Sequence, residues 1–162
     1  MGVLTDYFRA PDAETVVRAL AAADGSMAAV RADFDVLEAK RIDPGVLLGK
    51  LVAAVRAEPW RVDLVEDTPV WPATPQPGPD GPWDEDDPWS TGPWAFELGD
   101  AARDALAEVP DDRIPEAVRQ WAEAEEWGGA DRTDLLPLAG ELIALARRAR
   151  AAGERLYCWV CL

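Results

Sequence analysis

The last seven residues, Leu156-Tyr157-Cys158-Trp159-Val160-Cys161-Leu162, are apolar or aromatic at every position and follow a glycine, Gly153. A strand with one wetted face alternates apolar and polar residues, so an unbroken run of this kind has to be covered on both faces. The residues that could cover it lie upstream, in amphipathic stretches. Leu135, Leu138, Ala139, Leu142, Leu145, Ala146 and Ala149 repeat at helical spacing and predict a long helix from about Thr133 to Ala152, with Gly153 as its stop. Arg147, Arg148, Arg150 and Arg155 gather at its carboxyl end, where cations complement the helix dipole.

The opposite end of the chain supplies a second strand. Val3, Leu4, Tyr7 and Phe8 give apolar and aromatic bulk between Val3 and Phe8. Pro11, Asp12 and Glu14 open a helix with Val16, Val17 and Leu20 on one stripe, and Asp24-Gly25-Ser26 ends it. An edge strand is expected around Phe34 to Leu37. Asp43-Pro44 then serves as N-cap and first residue of a second helix, which buries Val46, Leu47, Leu51, Val52 and Val55 and ends at Pro59. Farther on, Trp94 to Leu98 alternates like a strand and Gly99-Asp100 opens a helix reaching Val109. A third pattern, beginning near Asp112 with Pro115 in its first turn, carries Ile114, Val118 and Trp121 and runs to Gly128-Gly129.

These elements predict an α+β domain spanning residues 1–162, a small mixed sheet that includes both chain termini and packs against about four to five α-helices. With 162 residues, 49% of them apolar, one core can form. Between about 67 and 93 the composition changes. Most of the chain's prolines fall here, with the run Asp84-Glu85-Asp86-Asp87 and three tryptophans, Trp71, Trp83 and Trp89. No regular element is expected in it, and it is too long for an ordinary connection. Three tryptophans argue that parts of this loop pack on the domain or on something else.

Charge narrows the function. The chain holds 31 acidic and 16 basic residues and no histidine, a formal net charge of −15. Such a field repels phosphate backbones and anionic headgroups, so neither nucleic acid nor a membrane surface is expected as a partner, whereas a basic protein is favoured. The start lacks a cationic leader with an apolar core, no stretch approaches the ~20 apolar residues of a span, and a cytoplasmic location is expected. The absence of histidine removes Ser-His-Asp and Cys-His mechanisms, and no glycine pair is followed by the lysine and hydroxyl of a phosphate-binding loop.

Three groups of residues could still carry function. Cys158 and Cys161 form a Cys-x-x-Cys motif, but no helix follows to depress a thiol pKa, and in a strand the two side chains point to opposite faces; buried structural cysteines are expected, with no cofactor and no metal. Trp83, Asp84, Glu85, Asp86, Asp87 and Trp89 form a candidate partner-binding segment, since aromatic anchors ringed by carboxylates suit a basic surface. The acidic run lacks the spacing of a calcium loop and is expected to be solvated charge. Trp121, Glu123, Glu125, Glu126 and Trp127 form the alternative, an acidic and aromatic rim of a pocket. Of the other tryptophans, Trp94 and Trp159 are expected in the core with Trp121.

The start Met1-Gly2-Val3 through Tyr7-Phe8, the Asp12-led helix, Phe34-Asp35-Val36-Leu37 with Asp43-Pro44, and the closing helix, Gly153 and strand together resemble the small bacterial YfbM-like family, a domain of unknown function. The resemblance spans nearly the whole chain and implies an α+β fold, with the proline-rich acidic loop as an insertion. It brings no catalytic residues. On these grounds the expected role is a non-enzymatic acidic interaction protein, an immunity- or antitoxin-like neutraliser of a basic partner. The alternative is a small-molecule-binding domain or a carboxylate-based hydrolase.

Overall fold

The computed structural model describes residues 3–81 and 84–162, with Ala29 and Val30 described by their backbone alone. The chain runs β1 (Leu4–Ala10), α1 (Ala13–Ala22), α2 (Met27–Val30), β2 (Asp35–Glu38), α3 (Leu47–Arg56), β3 (Asp67–Trp71), α4 (Pro88–Thr91), β4 (Trp94–Leu98), α5 (Asp100–Glu108), α6 (Ile114–Trp121), α7 (Leu135–Ala151) and β5 (Arg155–Cys161). One-turn 3-10 segments at Asp111–Arg113 and Glu125–Trp127 flank α6.

The five strands lie in the order β2-β1-β5-β4-β3, so the apolar C-terminal strand is the central one. Its predicted double burial follows from alternation. Leu156 and Cys158 enter the larger core, beneath α3, α5, α6 and α7, while Tyr157 and Trp159 enter a second core roofed by α1 and α2. Tyr7 and Phe8 of β1 divide in the same way. The fold is α+β with both terminal strands in the sheet, as expected, and every pairing is antiparallel rather than mixed. The reason is that α7 returns the chain so that β5 enters between β1 and β4 and runs against both.

Local chemistry sets the boundaries. Asp12 accepts the Thr15 amide at 2.8 Å and caps α1. The helix ends through Asp24 and Gly25, whose φ values are +51° and +75°. A Cβ on Gly25 would stand 3.0 Å from Pro93 and 3.1 Å from the Trp71 indole, so both conformation and space demand glycine. Asp43 and Pro44, expected as N-cap and first residue of the helix, instead precede it: Asp43 accepts the amides of Val46 at 2.6 Å and Leu47 at 3.2 Å across a turn at Pro44 to Val46, and α3 starts at Leu47 with Val46 at its N-cap.

Two expectations need correction. The segment 67–93 contains regular structure, because Pro69 sits in the edge strand β3, where a missing amide donor leaves no ladder bond unmade, and Pro88 occupies the first turn of α4. The helix expected to run to Gly128 stops at Trp121, because the chain turns back to lay Trp127 against it. No described helix is long and apolar enough to cross a membrane.

Candidate functional site

The acidic segment is anchored before it is displayed. Asp87 accepts the Trp89 amide at 2.8 Å and so starts α4. The Trp89 indole N–H donates to the Thr74 carbonyl at 3.0 Å, and the Trp94 indole N–H donates to the Trp89 carbonyl at 3.1 Å. Two indoles thus tie the outgoing strand β4 to α4, and α4 to the stretch after β3. At the root of the loop, Trp71 packs into the second core. Asp84, Glu85 and Asp86 lie outside this knot, exposed, with the Asp84 carboxylate accepting the Asp86 amide at 3.3 Å. Among the described residues no ion pair involves positions 84 to 87. Asp87 and Trp89 are half-buried, and Trp83 lies outside the described residues. Trp94, expected in the core, is half-buried as well.

The second candidate is built the other way round. Trp121 is 1% exposed and donates its indole N–H to the Leu47 carbonyl at 2.8 Å, locking α6 to the start of α3. Trp127 meets it edge-on at a centroid distance of 4.9 Å and donates to the Trp121 carbonyl at 2.9 Å. The carboxylates sit outside. Glu123 pairs with Arg119 at 2.8 Å, and Glu126 pairs with Lys50, which also lies 5.5 Å over the Trp60 ring. The Lys50 ammonium holds the Glu126 carboxyl below its ordinary range. Glu125 is exposed. What opens here is a shallow groove of about 270 Å³ lined by Lys50, Trp60, Trp121 and Glu123, without Trp127. Of the rim expected from sequence, Trp121 and Glu123 reach this groove, whereas Trp127 fills the core, Glu125 is exposed and Glu126 is held by Lys50.

The Cys-x-x-Cys motif behaves as a strand. Cys158 is fully buried, and burial pushes its thiol well above the ordinary range, whereas Cys161 is half-buried against the other core. Among the described residues no three carboxylates or thiols gather in a way that could hold a metal ion.

One polar cluster escaped the sequence reading. Asp6, on β1, is 3% exposed, and its carboxylate accepts from Arg31 at 2.8 Å. The same guanidinium reaches Glu38, the residue opposite Asp6 in the β1–β2 register. Desolvation of Asp6 outweighs Arg31, so its carboxyl titrates above the ordinary range. The available signal was a carboxylate set among Leu4, Tyr7 and Phe8 in the first strand; its partner lies 25 residues away in a stretch without periodicity.

No family model, no curated protein and no solved structure matches this chain, so fold and site stand on its own geometry.

Proposed function

We propose that this protein is a non-enzymatic binding module that covers a basic patch of another protein with the segment Asp84 to Trp89. The observation that carries it is the exposed run Asp84-Glu85-Asp86, free of ion pairs among the described residues, on a loop held by the indoles of Trp89 and Trp94. Anchoring lowers the ordering entropy that a mobile acidic tail would lose on binding, and unpaired carboxylates are ready for arginine or lysine without breaking internal bridges. A neutraliser of the immunity or antitoxin kind, acting in the reducing cytoplasm where free thiols persist, is the form of this role that fits best. Kinship with the YfbM-like proteins is likewise proposed, on the motifs given above; the terminal strands among them pair as β1 and β5. The alternative small-molecule or hydrolase site at Trp121 to Trp127 gains less support, since Glu123 and Glu126 are already held by bases and both indoles fill the core.

The test compares wild type with the D84N/E85Q/D86N protein as baits for basic proteins of the native host, at low and high salt. A specific partner held by wild type, weakened by salt and at least tenfold weaker on the neutralised bait supports the proposal. Equal retention by the two baits would overturn it.

A further inference from the structure

On the face of the sheet away from α7, a cavity of about 190 Å³ opens between α2 and the β1–β2 edge, lined by Asp6, Met27, Arg31, Glu38, Trp159 and Leu4. Its base is built. Trp159 is 8% exposed and fixed by an indole N–H bond to the Gly25 carbonyl at 3.0 Å, and Met27 is 1% exposed. Asp6 is the charged group at this base. Register places Glu38 directly across from Asp6 on the neighbouring strand, where like charges repel unless a cation lies between them. Arg31 is that cation, and its side chain is 42% exposed, reaching Asp6 from the rim. Lys40, also on the rim, is exposed and screened by solvent.

We propose that this cavity binds a small organic cation, a short-chain alkylguanidinium or alkylammonium, which takes the place at Asp6 that Arg31 fills and lays its apolar stem along Met27 and Trp159. A buried carboxylate needs a cationic or hydrogen-bonding partner, and either Arg31 or the ligand meets that need. Displacing Arg31 breaks its bond to Asp6, which the ligand's cation replaces, while its other bond, an exposed pair with Glu38, contributes little. The chain's net charge of −15 draws cations toward the cavity and disfavours anions. This site lies apart from the acidic segment and stands or falls without it.

The experiment titrates the intact protein with n-butylguanidinium, n-butylammonium and butyrate, following the Trp159 indole N–H by nuclear magnetic resonance and the heat by calorimetry. Saturable binding of one or both cations with a shift of the Trp159 signal is expected, and none by butyrate. R31Q removes the internal competitor and tightens the cation by about tenfold; D6N abolishes binding. Should D6N fold poorly, E38Q, at an exposed position, weakens the cation about threefold. Butyrate binding in place of the cations would overturn the proposal. So would weaker cation binding by R31Q, affinity unchanged in both D6N and E38Q, or no shift at Trp159.

Discussion

Two stretches of this chain look alike on paper, each mixing tryptophans with carboxylates, and the fold treats them oppositely. From 121 to 127 the indoles are core, bonded to the backbone of α3 and to one another, and Glu123 and Glu126 are held by bases at the surface. From 84 to 89 the acids stand free of ion pairs among the described residues, and the described indole is half-buried, pinned through its N–H to the loop's own backbone. Helical register makes the difference. In α6, Trp121 falls on the stripe with Val118 and Ala117, so it must go inside. The acidic segment offers no periodicity, only a cap at Asp87 and two indole donors seeking carbonyls. Tryptophan beside acid therefore says nothing about function until its register is known.

The largest expected contrast follows from that burial. Trp121→Ala removes a buried indole and its hydrogen bond to the Leu47 carbonyl, and should cost about 3–5 kcal/mol in chemical denaturation. Trp89→Ala, at a half-buried site, should cost about 1 kcal/mol. Equal losses at the two positions would erase the distinction between core and anchor.

Paired and unpaired acids should also separate by pH. Asp35 accepts from Arg148 at 2.7 Å and from Arg9 at 2.8 Å, and these guanidiniums lower its carboxyl from 3.8 to about 2. A folded-state pKa below the unfolded one contributes stability that is fully present above about pH 4 and lost as pH falls toward 2. With partial exposure discounted, that contribution is about 1–2 kcal/mol. Asp35→Asn should therefore lower stability at neutral pH and flatten the acid limb of the stability curve between pH 4 and 2. An unchanged acid limb in D35N would mean that the bridges across β1, β2 and α7 contribute nothing.

How far the sequence foretold this depends on the range of the physics involved. The cap at Asp12, the turn at Gly25, the stripe of α7 and the two-faced burial of β5 are local or periodic, and all were readable. Strand β3 was not, because Pro69 reads as a breaker until its place at the sheet edge is known. Nor was the cavity at Asp6. It is assembled by register between β1 and β2 and by an arginine in a stretch without pattern, and pairing of that kind belongs to the tertiary fold. The candidate residues divide likewise: the core place of Trp121 was readable from its stripe with Val118, whereas that of Trp127, which follows a turn outside any periodic stretch, was not.

The smallest expected effect bears most directly on function. Neutralising Asp84, Glu85 and Asp86 together removes three charges that make no ion pair among the described residues, so no bridge is lost on mutation. Relief of like-charge repulsion acts in the opposite direction to any lost turn bond, such as that from the Asp86 amide to Asp84. The melting temperature of D84N/E85Q/D86N should then stay within about 2 °C of wild type by scanning calorimetry. A drop of many degrees would make the run part of the scaffold, and a loss of partner binding in the same protein could then no longer be assigned to the charges. An unchanged melt with lost binding leaves electrostatic recognition as the reason these acids are displayed.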